Sequence, residues 1–230
     1  MKTLIIISHP DIRESSSQQY LLSSIPGEPE VTVHHLEETY PDFKIDSMKE
    51  QELIAEHDRI IFQFPLYWYS SPPLLKKWQD EVLTENFAYG KNGHHLQDKE
   101  FGLVLTIGAS KNEYQAGGKE HFSITELTKP FQAMALKTGM VYLKPLSIHQ
   151  FSYLTEEQKM ELLIEYQLLL THEKDTSLAS RENWFLNQLE QTDLTTLAEE
   201  DSFKLQHVME IIEENRETMD DLKLSLEEME

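Results

Sequence analysis

RIIFQFPLYWYSSPPLLKKW, Arg59–Trp78, decides the fold. Arg59–Phe64 is an apolar run that stops at Pro65, and three aromatics follow in succession: Tyr67, Trp68 and Tyr69. A short apolar run bounded by proline reads as a buried strand. Pro72-Pro73 then opens a helix over Leu74–Leu83, because proline suits a first helical turn. The stretch is therefore a strand, an aromatic loop and a helix. In an open α/β sheet the loop at a strand's carboxyl end is where planar ligands sit.

Working outward, the same unit recurs. Leu4–Ser8 reads as a buried strand, with a short helix after it at Ser16–Ser24. Val31–His35 alternates and reads as a second strand. Ser47–His57 follows as a helix, with Ser47 as N-cap and Glu50 completing a capping box. Phe101–Thr106 is a fourth strand, and Ile124–Thr138 a helix stopped by Gly139. Val141–Leu146 is a fifth strand. Thr155–His172 is a fifth helix, opened by a second capping-box pair, Thr155 and Gln158. Five βα units in strict alternation predict a parallel sheet with helices on both faces, in the strand order 2-1-3-4-5.

Composition sets bounds on this reading. The chain has 230 residues, no cysteine and a formal charge of −21. That charge argues against direct binding to nucleic acid phosphates, and the missing thiols exclude a cysteine nucleophile and a thiolate zinc site. Apolar runs fall short of a membrane span. The opening MKTLIIISHP lacks a small-residue cleavage site and reads as the first strand, which suits a cytoplasmic protein. Charge is uneven: residues 175–230 hold 16 acidic and 4 basic residues, net −12. The sequence thus predicts a domain over 1–174 and an acidic helical extension over 175–230. In the extension, Ser202–Arg216 has near-helical apolar spacing, and Trp184, Phe185 and Leu189 mark a shorter helix.

Three loops at strand ends carry candidate chemistry. His9 to Gln18, with Ser15, Ser16 and Ser17, places hydroxyls beside a helix start, a pattern that serves either an anion or plain capping. Pro65, Leu66, Tyr67, Trp68 and Tyr69 suit the edge of an aromatic ring or a subunit interface. Thr106, Ile107, Gly108 and Ala109, with Tyr114 and the pair Gly117-Gly118 beyond, allow close backbone approach to a ligand. Two His-His pairs are present, but neighbours in sequence point apart, so no metal site is expected.

These motifs resemble those of the flavodoxin-like NAD(P)H:quinone oxidoreductases. The resemblance is nearest to the small bacterial enzymes that act beside glutathione-gated potassium efflux systems, with DT-diaphorase more distant, and it covers residues 1–174. It implies a flavodoxin-like domain, FMN (alternatively FAD) as cofactor, NAD(P)H as co-substrate and a quinone or similar acceptor. It also implies a homodimer, and a peripheral membrane-protein partner in an efflux system. His9 and Ser15–Gln18 become the phosphate cradle; the relatives often have Asn where this chain has Gln18. Pro65–Tyr69 and Thr106–Ala109 become the ring site, although Ile107 and Ala109 stand where the family commonly has Thr and Gly. Tyr114 becomes the candidate catalytic phenol. The histidine that assists in DT-diaphorase falls by spacing on Glu120, with His121 next, so its role does not transfer. Three alternatives stand beside it: a one-electron carrier of the same fold, whose Ser/Thr-rich phosphate loop this chain lacks; a regulatory, non-enzymatic flavoprotein subunit of a potassium efflux system; and an azo or nitro reductase, which uses the same machinery.

Overall fold

The computed structural model describes all residues other than 26–29, 173–176, 192–197 and 228–230. Two compact units result, Met1–Thr171 and His172–Glu230. The boundary expected at Lys174 lies outside the described residues.

In the first unit the apolar runs form strands β1 (Thr3–Ile7), β2 (Val31–His35), β3 (Arg59–Pro65) and β4 (Glu100–Ile107). The edge carries two short pieces, β5 (Val141–Tyr142) and β6 (Leu146–His149). All pair in parallel, in the order β2-β1-β3-β4-β5, with β6 also on β4. This is the expected flavodoxin-like topology. Every residue of β1 and β3 is buried, which explains their continuous hydrophobicity: a central parallel strand is covered on both faces.

The fifth strand departs from the single run expected over Val141–Leu146. Tyr142 pairs with Phe101, whereas Leu146 pairs with Val104. Three residues on the edge strand, 143–145, thus stand against two on β4, 102–103, a one-residue bulge that contains Pro145. Edge positions and bulges are where a sheet tolerates proline. The extra residue reverses facing. Tyr142 packs with one side of the sheet, and Leu146 and Ile148 with the other.

Helices α1 (Ser16–Leu22) and α7 (Glu156–Thr171) cover the side lined by Ile5, Ile7, Ile61 and Val104. The other side receives α2 (Leu36–Thr39), α3 (Ser47–Ala55), α4 (Pro73–Val82), α5 (Ile124–Leu127) and α6 (Lys129–Thr138). Phe62 centres that core, edge-on to Trp78, Phe101 and Phe131 at 5.5, 4.8 and 6.4 Å. Such edge-to-face contacts add to area burial.

Some local expectations change. α1 stops at Leu22, not Ser24. The single helix over Ile124–Thr138 is two, broken at Thr128 just before Pro130, which sits in the first turn of α6. Gly139, at φ 76°, caps α6 as expected. The N-cap of α3 is Asp46, whose carboxylate accepts from Lys49 N–H at 3.2 Å; Ser47 is already inside the helix. Glu50 turns inward instead of closing a capping box. Its buried carboxylate accepts from His34 Nε2 (2.9 Å), Tyr40 OH (2.5 Å) and Trp78 Nε1 (2.7 Å). The Thr155–Gln158 pair does form a reciprocal box. At the amino ends of β3 and β4, Arg59 and Glu100 form a buried ion pair, Nη2 to Oε2 at 2.5 Å.

The second unit holds two helices that pack together, α8 (Leu178–Gln191) and α9 (Glu199–Glu227). α9 is longer than the expected Ser202–Arg216. Phe203, Ile211, Met219 and Leu222 on it are exposed.

Candidate functional site

The winding direction of the sheet reverses at β1, whose neighbours are β2 and β3. The crevice outside the carboxyl ends of such strands is the ligand position of an open α/β sheet. The loops after β1, β3 and β4, read from sequence as candidates, all leave the sheet at that edge.

The β1 loop is pinned by a carboxylate that sequence reading missed. Glu37, on α2, accepts from Ser8 Oγ at 2.6 Å and from His9 N–H at 2.9 Å. His35 Nε2 lies 3.0 Å from His9 O and 3.3 Å from Glu37 Oε2, so that nitrogen carries a proton aimed at two acceptors. Burial pushes the Glu37 carboxyl up, but the bonds from His35, Ser8 and His9 outweigh it and hold it below the usual range. Glu37 in turn raises His35, against burial. His9 accepts from Asp11 N–H through Nδ1 at 3.1 Å. Its neutral ring therefore carries its proton on Nε2. Burial lowers the His9 pKa and favours that neutral form.

At the start of α1, Ser15 caps through Gln18 N–H at 3.4 Å, and Ser15 Oγ and Ser17 Oγ lie 3.3 Å apart. Ser16 is exposed. Gln18 is fully buried, and its side chain belongs to a network under the loop rather than to the loop's surface. Tyr166 OH donates to Gln63 Oε1 (2.8 Å), and Gln63 Nε2 donates to Gln18 Oε1 (2.5 Å). Gln18 Nε2 ends that chain unpaired.

The β3 loop is a tight turn. Tyr67 and Ser70 exchange both backbone hydrogen bonds at 3.0 Å, and Trp68 and Tyr69 between them have φ of 46° and 63°. Two positive φ values at the central positions mark a type I′ turn, normally built from Asn and Gly. Trp68 is 92% exposed and Tyr67 and Tyr69 are also exposed, so packing within this chain does not account for them. Pro65 is buried in β3, and Leu66 N–H continues the sheet to Thr106 O. Tyr69 OH donates to Glu120 Oε2 at 2.8 Å, tying this loop to the one after β4.

In the β4 loop, Ile107 is buried and Gly108 exposed, and a Cβ built on Gly108 would meet nothing within 4 Å. The position opens onto free space. Ala109, where the resembled family has a second glycine, is not in the positive-φ region, so its methyl is accommodated. Tyr114 packs partly into the core; burial, then Glu120 and Tyr69, raise its phenol. A second missed residue is His149, at the end of β6. Its Nδ1 lies 3.0 Å from Ala109 O and its ring 5.8 Å from that of Tyr114. Nothing in the sequence pattern near His149 signals this.

Topology, the switch point and the loops gathered at the strand ends together define a doubly wound α/β domain. The chain belongs to the flavodoxin-like fold family, whose model matches residues 1–169. It is 44% identical over 195 residues to YdeQ of Bacillus subtilis, an uncharacterised NAD(P)H oxidoreductase, covering 85% of this chain and 98% of the relative. It is 39% identical over 165 residues to KefG of Yersinia enterocolitica, a glutathione-regulated potassium-efflux system ancillary protein; that match spans 72% and 88%. Among solved structures, an NADPH-quinone reductase from P. pentosaceus superposes with TM-score 0.70 at 43% identity, covering 74% of this chain and 98% of that one. General stress protein 14 of Treponema denticola, in complex with FMN, gives TM-score 0.67 at 36% identity, covering 74% and 96%. Among the described residues no helix is long and apolar enough to cross a membrane.

Proposed function

We propose that the protein is an FMN-dependent NAD(P)H oxidoreductase acting on a quinone or similar acceptor. The observation that carries this reading is the strained, exposed Tyr67–Tyr69 turn at the carboxyl end of β3, which Tyr69 and Glu120 tie to the β4 loop that holds the open Gly108. The names of its relatives agree: an NAD(P)H oxidoreductase, an NADPH-quinone reductase and an FMN complex. The open position at Gly108 leaves room for a flat ligand, and the hydroxyls of Ser15 to Ser17 suit a phosphate.

Bound here, FMN would supply the redox chemistry, taking hydride from NAD(P)H and passing it to the acceptor. The chain's part is placement. Ser15, Ser16 and Ser17 hydroxyls donate to the phosphate, and neutral His9 offers Nε2–H beside them. Buried Gln18 supports this turn from beneath. Pro65, Leu66 and Tyr67–Tyr69 form one wall, with backbone groups available to the polar ring edge. Thr106, Ile107, Gly108 and Ala109 form the other, and the Tyr114 phenol orients the nicotinamide. One open crevice serves donor and acceptor in turn, which gives ping-pong kinetics. The bare aromatic turn is also the surface for a second copy, as a homodimer. A second reading, an ancillary subunit of a potassium efflux system, is favoured by the likeness to KefG.

The visible spectrum of the purified protein tests the proposal, with mass spectrometry of released cofactor and NADPH oxidation with and without a quinone. FMN and quinone-dependent oxidation are expected. A colourless protein that neither FMN nor FAD reconstitutes would sink the enzyme reading. Replacing Ser15 and Ser17 together by alanine should weaken FMN binding by roughly 1–3 kcal/mol, the worth of hydrogen bonds to a charged group. Unchanged affinity returns these serines to helix capping.

A further inference from the structure

We propose that His149 is a positioning residue: its Nδ1–H braces the β4 loop through Ala109 O, and its ring holds Tyr114 in place. This rests on the reading that the β4 loop receives the flavin ring.

Ala109 O, 3.0 Å from Nδ1, is an acceptor only, so Nδ1 must carry the proton. In the neutral ring Nε2 is then the lone-pair nitrogen, without a hydrogen-bond partner among the described residues. Burial, with Lys111 nearby, lowers this histidine's pKa, so the neutral tautomer prevails near neutral pH. Gln150 N–H donates to Ile107 O at 2.8 Å, and Ile107 pairs with His149 in register. The backbone and side chain of 149–150 therefore clamp both ends of the turn Ile107-Gly108-Ala109. That turn contains the exposed glycine with open space above it.

The bulge makes this possible. Ile148 packs with the α1/α7 side of the sheet, and Tyr114 packs with the other side. Side chains alternate along a strand, so His149 faces Tyr114. Without the extra residue among 143–145, the parity set by Tyr142 would turn His149 away from Tyr114. The edge-strand irregularity is thus what delivers an imidazole to the site. The position read by spacing as the family's assisting histidine is Glu120, and Glu120 is engaged by Tyr69 instead.

The test uses the full chain, His149→Leu, His149→Asn, and each combined with Tyr114→Phe. First, nitrogen NMR of the flavin-free protein reads the tautomer of His149. Protonated Nδ1 is expected, and protonated Nε2 overturns the proposal whether or not flavin binds. Second, titration with FMN and NADPH reduction kinetics are compared. His149→Leu should weaken FMN binding about tenfold and lower kcat with a smaller change in KM. His149→Asn, whose amide N–H replaces Nδ1–H, should restore most of both. Adding Tyr114→Phe to His149→Leu should slow reduction little further, since the two act as one unit. Equal loss in the Asn and Leu variants, or no loss in either, overturns the proposal. If the wild-type protein itself binds no FMN, the flavin reading fails and the tautomer alone decides this inference.

Discussion

Bulky aromatics at positive φ cost the fold stability that asparagine or glycine would not. Each such residue stores about 1–3 kcal/mol, and Trp68, at 92% exposure, recovers none of it by packing within this chain. Trp68→Asn should therefore leave urea stability unchanged or raise it by about 1 kcal/mol, while weakening FMN binding. A lower unfolding midpoint would show that Trp68 is packed in solution. Glu37 and His35 give the β1 loop a pH window. The folded Glu37 carboxyl is depressed, so its contribution is present above its unfolded value and lost as pH falls through the folded one. The folded His35 is raised, so its contribution is full below about 6.5 and lost as pH rises through its raised value. The anchor should hold best in mildly acidic solution. Unfolding midpoints against pH check this: Glu37→Gln should flatten the acid arm and His35→Gln the alkaline one. At this scale the sequence showed which loops leave the carboxyl ends of the strands, because serines and aromatics at strand ends are local signals. It did not show Glu37 or His149, whose partners lie 28 and 40 residues away.

Element by element, the sheet order was legible because each strand is a contiguous apolar run and each helix has its own start and stop chemistry. What escaped was what neighbours impose. The edge strand's bulge depends on β4, which Val141–Leu146 alone cannot report. The inward turn of Glu50 likewise depends on three distant donors, His34 on β2, Tyr40 after α2 and Trp78 on α4, while local spacing offered only a capping box. This one carboxylate joins four elements. Burial raises its pKa, and the bonds from His34, Tyr40 and Trp78 outweigh that and lower it. Glu50→Ala would leave buried Tyr40 and Trp78 donors unpaired, at about 1–3 kcal/mol each. Urea denaturation should show a lower midpoint at an unchanged m-value, a stability loss on the order of 3–5 kcal/mol. A loss below about 1 kcal/mol would mean that water replaces the carboxylate and that the hub is dispensable.

For the whole molecule the question is whether the acidic helices support the fold or are carried by it. The family model ends at residue 169 and the first compact unit at Thr171. Every candidate site residue, from His9 to His149, lies inside that unit, as do both hydrophobic clusters. The Arg59–Glu100 pair, the Glu50 hub and the Glu37 anchor are all internal to it. The extension brings net −12, and charge of one sign repels itself rather than adding cohesion. A chain ending at Lys174 should therefore remain folded, with a melting temperature within a few degrees of the full protein, and should bind FMN with equal affinity. Circular dichroism, FMN titration and sedimentation decide the point. Precipitation of the shortened chain would make α8 and α9 part of the core. Loss of a dimer with retained flavin would make them the interface, displacing the aromatic turn from that role. Retained flavin and dimer with an altered choice of quinone would assign the extension to the acceptor side of the crevice.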